Sequence, residues 1–345
     1  MSIASVIILG FALLAGYQWR QAEIGQISAL TQSSEARFAL NRNSFDALLE
    51  VLEAASRLEK LPGGGAGTEL RNEVMTTLGQ AVNWVRETNR LEGHKGYVQD
   101  ISFSPDGKTM VTAGYDNTVK FWHSNGELIC TAEGHTDGVM SVSFSPDGKT
   151  VASASEDQTV KLWNQDCQLL RTIKGHNAEV YSVSFSPDGQ TLVSGGVDKA
   201  VKLWSLNGKL LRTMLGHTNA IWAVEFSPDG KTIASASWDH TTKLWNTRTG
   251  QLQQTLEQNA AVWGLSFSPD GQTIATGNQD GAINLWNARG ELQQTLSGHL
   301  SIVKGISFTP DGREIATASD DNTVKLWRLQ DGMLLETLAG HRSTV

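Results

Sequence analysis

The chain has little cysteine and no excess of positive charge. Cys130 and Cys167 are the only cysteines among 345 residues, too few for a disulfide framework, so we expect two free thiols and a reducing compartment. The net charge is -8, and neither the first 92 residues nor the remainder is basic. This excludes the electrostatic footprint of a nucleic-acid-binding protein.

Charge is also missing from the start of the chain, where residues 3–19 carry none. As a helix this run spans about 25 Å, slightly less than a hydrocarbon core of ~30 Å. A cleaved signal peptide is an alternative, but no basic residue precedes the run and no A-x-A-like site follows it. A helix buried in a soluble domain is another. We predict a membrane-spanning helix over residues 1–20, with Tyr17 and Trp19 at the interface and Arg20 on the cytoplasmic side.

Helical periodicity follows the apolar run and predicts a helical stalk over residues 21–61. Asn43 and Ser44 are candidate caps before an apolar stripe formed by Phe45, Leu48, Leu49 and Leu52. A second helix, predicted over residues 68–87, has its stripe at Leu70, Val74, Leu78, Ala81, Val82 and Val85. These helices are joined by a flexible turn.

That turn is a glycine-rich linker over residues 62–67, "PGGGAG", which must interrupt any helix. The stretch "GGGAGT" superficially suggests a phosphate-binding loop. It lacks the required lysine, however, and follows a helix rather than a strand. We therefore predict no nucleotide site here.

From Gly93 onward the sequence repeats with a period of 41. A Gly-His pair opens most units: Gly93-His94, Gly134-His135, Gly175-His176, Gly216-His217, Gly298-His299 and, one residue late, Gly340-His341. At residues 257 and 258, where the period of 41 predicts another Gly-His pair, the sequence has Glu257 and Gln258 instead. Each unit continues with an alternating strand, an "SPDG" or "TPDG" turn, a second strand reaching an Asp, a third ending in Trp and a looser fourth. Such a unit predicts one four-stranded blade of a radial array.

These units resemble the WD-repeats of the WD40 β-propeller family, over residues 88–345. The resemblance implies an all-β propeller of six complete four-stranded blades, preceded by the helical membrane segment and stalk. An incomplete seventh blade is an alternative. The Asp that usually follows the Trp is replaced in every unit, at a position that varies in the family: His123, Asn164, Ser205, Asn246, Asn287 and Arg328.

The resemblance also implies a structural hydrogen-bonded tetrad of Trp, Ser or Thr, His and Asp in each unit. The first three units supply Trp122, Thr112, His94 and Asp116; Trp163, Ser153, His135 and Asp157; Trp204, Ser194, His176 and Asp198. The other complete sets are Trp245, Ser235, His217 and Asp239 in unit four, and Trp327, Thr317, His299 and Asp321 in unit six. Unit five offers Trp286, Thr276 and Asp280, without a His.

Histidine, serine and aspartate together imitate a hydrolase triad. An enzyme needs one such site, whereas this chain repeats the set with constant spacing, which argues for a structural role. The histidines lie in different blades, too dispersed for a metal site. We predict no catalytic residue, metal or cofactor.

In the family's geometry, two positions per blade point at the entrance of the central channel. The first set lies shortly after the Gly-His pair: Gln99, Met140, Tyr181, Trp222, Trp263 and Lys304. The second precedes the tetrad Asp: Tyr115, Glu156, Val197, Trp238, Gln279 and Asp320. We predict that a protein or peptide partner binds here, with the aromatic residues of blades three to five as anchors. The alternative is that these aromatics only pack the channel mouth.

The layout as a whole resembles the membrane segment, stalk and C-terminal propeller of bacterial STAND-type signalling proteins, without their NTPase module. It implies a non-catalytic scaffold or sensor, tethered to the membrane, with its propeller in the cytoplasm. The alternatives are a docking or regulatory subunit of an enzyme complex and an extracytoplasmic ligand-binding propeller.

The last six residues, "GHRSTV", begin a repeat that does not continue. Either six blades close directly, or the chain is a fragment of a protein with at least seven. In the second case, Arg86 to His94 would form the other side of the unfinished blade.

Overall fold

The computed structural model describes residues 20–37, 45–60, 68–86 and 91–339. It divides into two compact units, Met1–Arg90 and Leu91–Val345. The predicted membrane contact at residues 3–19, the linker at residues 62–67 and the final "GHRSTV" lie outside the described residues, as do Asn43 and Ser44. Among the helices that are described, none is both long and apolar enough to cross a membrane.

Three helices make up the described part of the first unit: α1 over residues 20–37, α2 over Phe45–Lys60 and α3 over Thr68–Arg86. Each contributes one fully buried residue to a small common core, namely Ile27, Ala54 and Val74. The helices therefore pack against one another through their apolar sides, as amphipathic helices do.

Polar contacts between the helices agree with this packing. Arg57 Nη1 of α2 lies 3.3 Å from Glu23 Oε1 of α1, and the Thr77 hydroxyl of α3 donates to Glu35 Oε1 of α1 at 2.7 Å. In one continuous helix, residues 23 and 57 would stand about 50 Å apart. The predicted stalk over residues 21–61 thus contains two helices that pack side by side.

The apolar stripe predicted for α2 is wrong at Leu52, whose side chain is 43% exposed. The buried face passes through Val51 and Ala54 instead, and both are fully buried. Leu52 and Val51 are adjacent in the sequence, so a small rotation of α2 decides which of them is buried. The packing of α2 against the neighbouring helices buries Val51. For α3, Val74 of the predicted stripe is fully buried.

The described part of the second unit, residues 91–339, consists of six blades, each a sheet of four strands that pair in chain order. Blade 1 contains β1 Val98–Phe103, β2 Thr109–Gly114, β3 Val119–His123 and β4 Leu128–Ala132. Blade 2 contains β5 Val139–Phe144, β6 Thr150–Ser155, β7 Thr159–Asn164 and β8 Leu169–Lys174. Blade 3 contains β9 Val180–Phe185, β10 Thr191–Gly196, β11 Ala200–Ser205 and β12 Leu210–Leu215.

The remaining blades follow the same order. Blade 4 contains β13 Ile221–Phe226, β14 Thr232–Ser237, β15 Thr241–Asn246 and β16 Leu252–Glu257. Blade 5 contains β17 Val262–Phe267, β18 Thr273–Asn278, β19 Ile283–Asn287 and β20 Leu292–Leu296. Blade 6 contains β21 Val303–Phe308, β22 Glu314–Ser319, β23 Thr323–Arg328 and β24 Met333–Ala339. The prediction of six four-stranded blades is confirmed.

The "SPDG" segments form the tight turns between the first two strands of each blade. In blade 1 the Ser104 hydroxyl donates to Asp106 Oδ1 at 2.8 Å, and the Gly107 N–H donates to the Ser104 carbonyl at 2.9 Å. Gly107 has φ 67, a left-handed conformation that glycine adopts without steric cost. Because all six blades repeat this turn, the hairpin register is the same throughout.

The apolar core lies between consecutive blades. Between blades 1 and 2, for example, Val111 and Val119 of blade 1 pack with Val139, Val142 and Phe144 of blade 2. Five such clusters follow one another along the chain. Each sheet is thus stabilised by the next one rather than by itself, as expected for repeated units.

A disulfide also joins blades 1 and 2. Cys130 in β4 and Cys167 in the turn between β7 and β8 are bonded, with their sulfur atoms 2.05 Å apart. The expectation of two free thiols is therefore wrong. Packing of one blade on the next brings together two cysteines that the repeat period does not relate.

Candidate functional site

Five blades contain the same chain of side-chain hydrogen bonds. In blade 1, Trp122 Nε1 donates to Thr112 Oγ1 at 2.9 Å, and this oxygen lies 2.7 Å from His94 Nε2. His94 Nδ1 lies 3.0 Å from Asp116 Oδ1. The equivalent contacts in four other blades measure 2.7 to 2.9 Å and join Trp163, Ser153, His135 and Asp157; Trp204, Ser194, His176 and Asp198; Trp245, Ser235, His217 and Asp239; Trp327, Thr317, His299 and Asp321.

One histidine tautomer satisfies every group in this series of hydrogen bonds. In it, each hydroxyl accepts from an indole N–H and donates its own proton to the histidine Nε2. The neutral imidazole then has its own proton on Nδ1 and donates it to the aspartate. The indole, hydroxyl, imidazole and carboxylate groups of each tetrad are then all hydrogen-bonded, and this holds a loop against a sheet in each of these five blades.

Local hydrogen bonds keep the tetrad aspartates charged. Burial alone would raise the pKa of Asp116, but bonds from Thr118, from the Lys95 N–H and from His94 outweigh it and lower the pKa to about 2. The same balance holds the pKa values of the equivalent aspartates well below the usual range: Asp157, Asp198, Asp239 and Asp321. Burial lowers the pKa of His135 and of His176, which favours their neutral forms.

These networks do not present a nucleophile to a substrate. The hydroxyl-bearing residues in the middle of each chain are at most 2% exposed: Thr112, Ser153, Ser194, Ser235, Thr276 and Thr317. In the part of the chain that the structure describes, no three His, Cys, Asp or Glu side chains group in a way that could hold a metal ion.

A fifth member of the network escaped the sequence analysis. Thr118 donates to Asp116 Oδ1 at 2.7 Å, and Thr159, Thr241 and Thr323 do the same in their blades. Blade 3 has Ala200 at this position, and there Lys202 Nζ lies 2.7 Å from Asp198 Oδ2. The signal was present in the sequence, because a Thr stands two residues after the Asp in four of the units.

Blade 5 uses a different side chain where the others use histidine. Gln258 lies on the same grid position, and its Oε1 accepts the Thr276 hydroxyl at 2.9 Å. Trp286 Nε1 donates to Thr276 Oγ1 at 3.0 Å, as in the other blades. Asp280, the remaining predicted member, accepts the backbone N–H of Ala282. The structure therefore brings together three residues here and leaves Asp280 outside the network.

The first set of predicted binding positions lies on β-bulges. The register of the first strand slips at Gln99, Met140, Tyr181, Trp222, Trp263 and Lys304. A bulge leaves its extra residue unpaired and turns the side chain out of the regular alternation. Because of the bulges, the side chains at these six positions do not follow the alternation that packs the other residues of the first strand between blades.

The second set is fixed by backbone hydrogen bonds to the loop before the first strand. The N–H groups of Tyr115, Glu156, Val197, Trp238, Gln279 and Asp320 donate to carbonyls in those loops at 2.9 or 3.0 Å. In blades 4 to 6, contacts between the two sets place both on one side of the blades: Trp222 with Trp238, Trp238 with Trp263, and Lys304 with Asp320. The other blades repeat the same strands and turns. We call these twelve residues the top face.

Aromatic rings from blades 3, 4 and 5 form one continuous cluster on the top face. Trp222 is at its centre, with ring centroids 4.5 Å from Tyr181, 5.3 Å from Trp238 and 4.3 Å from Trp263. Trp238 and Trp263 are 4.9 Å apart. All four side chains are partly exposed. We call these four residues the aromatic cluster.

Charged residues flank the aromatic cluster on both sides. On one side, Lys304 Nζ lies 5.8 Å from the centre of the Trp263 ring and 2.7 Å from Asp320 Oδ1. On the other, the Tyr115 hydroxyl donates to Glu156 Oε1 at 3.3 Å. Cation–π contacts of this kind stabilise the ring that they cover.

Two carboxylates that the sequence analysis missed lie near Glu156. Burial raises the pKa of Glu156, a hydrogen bond from Tyr115 opposes that rise, and the charges of Asp137 and Glu179 add to it. Both carboxylates come from the loops between the Gly-His pair and the first strand, which vary from one unit to the next. This side of the aromatic cluster is therefore acidic.

The side chains at the other predicted binding positions differ in how much of their surface is exposed. Gln99 and Val197 are partly exposed, and Gln279 is exposed. Met140 is only 7% exposed, which leaves it little surface for a partner.

Comparison with known proteins agrees with the repeats and the sheets. A model of the WD domain, G-beta repeat, matches residues 86–123 and 126–164, and a model described as IFT122 first beta-propeller matches residues 164–310. The chain thus carries WD40 repeats that fold as a β-propeller.

Two curated proteins are similar over short stretches. The "Probable cytosolic iron-sulfur protein assembly protein Ciao1" of Culex quinquefasciatus is 31% identical over 80 residues, covering 20% of this chain and 24% of the relative. The "Ribosome assembly protein 4" of Saccharomyces cerevisiae is 42% identical over 43 residues, covering 12% of this chain and 8% of the relative. The chain thus spans less than a quarter of the length of either relative.

Proposed function

We propose that this chain is a non-catalytic scaffold that binds a protein or peptide partner on the top face of its propeller. The observation that carries the proposal is the aromatic cluster. Large aromatic side chains at the centre of a surface are the usual anchors of protein-binding sites. Here the scaffold around them is nearly constant from blade to blade, whereas the top-face residues differ in each blade.

The exposed ring surface of the aromatic cluster supports recognition. All four side chains are partly exposed, whereas the Nε1 atoms of Trp238 and Trp263 are buried and make no hydrogen bond within the described residues. A partner would therefore contact the apolar ring carbons of these tryptophans and not their N–H groups.

Shape and charge define the class of partner. Two cavities of about 340 and 400 Å³ in the propeller are lined mostly by polar side chains and turn residues, and neither is lined by a residue of the aromatic cluster. The cluster itself is a group of four partly exposed rings in contact with one another, a surface suited to a protein or peptide partner. Because Glu156, Asp137 and Glu179 flank it, a partner with basic residues beside an apolar one would be complementary.

A capture experiment tests the proposal. Immobilised protein is compared with Trp222→Ala and Trp263→Ala variants for the partners retained, and thermal unfolding is measured in parallel. We expect both variants to lose the partner while they remain folded. Leu170→Ala is the control, because Leu170 is 54% exposed and lies in β8, a fourth strand, which contributes no residue to the top face. Retained binding together with lower thermal stability would show that the tryptophans only pack the mouth.

The names of the two relatives suggest what such a scaffold does. One is named for assembly of iron–sulfur proteins and the other for assembly of ribosomes. We therefore include assembly of a larger complex, or docking of an enzyme whose catalytic groups are in another chain, within the proposed class. Purified chain should not hydrolyse nucleotides, and measurable turnover would contradict the non-catalytic assignment.

We extend the proposal to a membrane tether through residues 3–19, on the pattern of the STAND-type layout. Membrane fractionation of cells that express the full chain, against a variant with Leu9→Asp and Leu13→Asp, tests it. The tether is supported if only the variant moves to the soluble fraction, and the outcome does not affect the top-face proposal.

A second candidate is a ligand-binding propeller outside the cytoplasm. The observation in its favour is the bond between Cys130 and Cys167, because disulfides persist mainly in oxidising compartments. Protease accessibility of the propeller in intact cells distinguishes it from a cytoplasmic scaffold. Cleavage from outside supports the second candidate, and protection supports the cytoplasmic location.

A further inference from the structure

The disulfide lies at a contact that four other pairs of neighbouring blades make without a covalent bond. There, a long side chain of the fourth strand lies against a glycine in the turn between the third and fourth strands of the following blade. A Cβ on Gly208, for example, would be 3.3 Å from Arg171 Cδ. The four pairs are Arg171 with Gly208, Arg212 with Gly250, Gln254 with Gly290 and Gln294 with Gly332. Cys130 and Cys167 stand one repeat period before Arg171 and Gly208, so the bond takes the place of this contact between blades 1 and 2.

The two cysteines fit this contact poorly when they are not bonded. Cys167 has φ 61, in the left-handed region, where a residue with a Cβ is less stable than glycine. The other five blades have glycine there, with φ between 68 and 90: Gly126, Gly208, Gly250, Gly290 and Gly332. Cys130 is shorter than the arginine or glutamine of the other contacts. Reduction would therefore leave the turn in an unfavourable conformation, without a long side chain that holds it against blade 1.

The bond is also within reach of small molecules. Cys130 and Cys167 pack at the edge of the core between the two blades, against a cluster that includes Val111 of blade 1 and Phe144 of blade 2. Both cysteines nevertheless remain partly exposed. Thiol–disulfide exchange begins when a thiolate reaches one of the two sulfur atoms, so exposed bonds are the ones that exchange readily.

We propose that the bond between Cys130 and Cys167 is a redox switch for the packing of blade 1 on blade 2, operated by exchange with a small-molecule thiol of the glutathione class. A thiolate attacks one cysteine sulfur, forms a mixed disulfide with it and releases the other cysteine as a thiolate. A second small thiol then resolves the mixed disulfide. The protein gains two electrons and two protons as two cysteine thiols, and the small thiol leaves as its own disulfide. The reverse exchange restores the bond.

Hydrogen bonds between the first strands of blades 1 and 2 report the state of this switch. Asp100 Oδ2 accepts the Val142 N–H at 2.9 Å, and Ser102 Oγ accepts the Phe144 N–H at 3.3 Å. Because donor and acceptor lie in different blades, these two amides lose their protection whenever blade 1 separates from blade 2.

Blades 2 and 3 have the same hydrogen bonds but no disulfide. Ser141 Oγ accepts the Val183 N–H at 3.4 Å, and Ser143 Oγ accepts the Phe185 N–H at 3.3 Å. These two amides are therefore an internal control in the same molecule.

The switch also extends to one side of the top face. The Tyr115 hydroxyl of blade 1 donates to Glu156 Oε1 of blade 2 at 3.3 Å, so separation of the two blades breaks this contact as well. That consequence for partner binding rests on the proposed function, whereas the switch itself is tested on the protein without a partner.

Equilibration with glutathione tests the chemistry. The full chain, started in turn from its oxidised and its reduced form, is incubated over a series of ratios of reduced to oxidised glutathione. Free thiols are then alkylated and counted by mass spectrometry. We expect both starting forms to reach the same fraction of dithiol at each ratio, while circular dichroism shows the folded protein throughout. A bond that is reduced only after urea unfolds the chain would overturn the proposal, because it would be a structural crosslink.

Amide hydrogen exchange of the oxidised and the reduced protein measures the packing. Reduction should make exchange at Val142 and Phe144 several-fold faster and leave Val183 and Phe185 unchanged. Equal exchange at Val142 and Phe144 in the two forms would contradict the switch. A uniform increase over all six blades would contradict it too, because it would indicate a general loss of stability.

Two double variants complete the test. Cys130→Ser with Cys167→Ser has no bond to close and should exchange like the reduced wild type at every glutathione ratio. Cys130→Arg with Cys167→Gly copies the contact of blades 2 and 3 and should keep the slow exchange of β5 at every ratio. A response of this second variant to glutathione would place the effect elsewhere and reject the proposal. If either variant fails to fold, the comparison of oxidised with reduced wild type still decides the outcome.

Discussion

Gln258 Oε1 accepts the Thr276 hydroxyl at 2.9 Å, at the position where five other blades have a histidine Nε2. The amide also reaches Thr242, to which Gln258 Nε2 donates at 3.0 Å. Glutamine thus reproduces one half of the histidine's role and binds the blade before it, but it does not reach the aspartate. Blade 5 therefore folds without the hydrogen bond between the histidine position and the aspartate.

Replacing this glutamine by the histidine of the other blades should stabilise the protein. In Gln258→His, Nε2 would accept from Thr276 and Nδ1 would donate to Asp280, which lies at the same sequence distance as in the other tetrads. One added charge-assisted hydrogen bond contributes about 1.5–3 kcal/mol, from which loss of the Thr242 bond must be subtracted. Chemical denaturation measures the net gain, which we expect to be about 1 kcal/mol.

Gln258→Ala is the control for that substitution. It removes the acceptor of a hydroxyl that is fully buried, so we expect a loss of about 1–3 kcal/mol. If histidine were as destabilising as alanine, the geometry of blade 5 would differ from that of its neighbours in a way that excludes the complete tetrad.

The tetrads and blades could be predicted from the sequence because each is repeated with one period. A residue such as His135 has equivalents in other units, and its role is evident from what those units share. Cys130 and Cys167 have no such equivalents, and their bond depends on how blade 1 packs against blade 2. Composition alone therefore gave the wrong result for them.

The helical unit was harder to predict for a related reason. It occurs once, and its buried face is chosen by the neighbouring helices. Val51 and Leu52 are adjacent apolar residues, and periodicity alone does not decide which is buried. The top-face positions could be predicted in part. The repeat predicts the positions of Trp222, Trp238 and Trp263, but only the structure shows that their rings are in contact.

Acidic pH should destabilise the propeller through its buried histidines. Burial lowers the pKa of His135 and His176 from 6.5 in the folded state, so the unfolded chain binds protons first as the pH falls. The contribution of the two neutral histidines to stability is complete above pH 6.5. It is lost as the pH falls through their pKa values in the folded state. Each histidine contributes a slope of up to about 1.4 kcal/mol per pH unit.

The variant His135→Gln with His176→Gln copies the natural arrangement of blade 5 and removes both titrations. Denaturation with urea at neutral pH and below 6.5 should show a smaller loss of stability on acidification than in the wild type. An unchanged loss would mean that other groups cause the acid sensitivity.

Glu225 should have the opposite effect at higher pH. It lies in the first strand of blade 4, and its Oε2 accepts the Phe267 N–H of blade 5 at 3.2 Å. Burial raises its pKa from 4.5 to about 8, so the folded protein retains a proton that the unfolded chain has released. Its contribution to stability is present below 4.5 and is lost as the pH rises to about 8.

Glu225→Gln has no titration and can still accept the Phe267 N–H. We expect its free energy of unfolding to stay constant between neutral pH and about 8, where the wild type should lose up to about 1.4 kcal/mol per pH unit. Glu127→Gln, at an exposed position, is the matched control and should follow the wild type. Equal slopes for wild type and Glu225→Gln would show that this carboxyl ionises freely.

The bond between Cys130 and Cys167 should make stability depend on reducing conditions. It closes a loop with a sequence separation of 37 residues, and the loss of chain entropy in the unfolded state predicts a contribution of about 3–4 kcal/mol. Dithiothreitol should therefore lower the midpoint of thermal unfolding. The Cys130→Ser and Cys167→Ser double variant should unfold at that lower temperature with or without the reductant. If the reductant instead lowered both proteins equally, or neither, the disulfide would contribute nothing to the junction of blades 1 and 2.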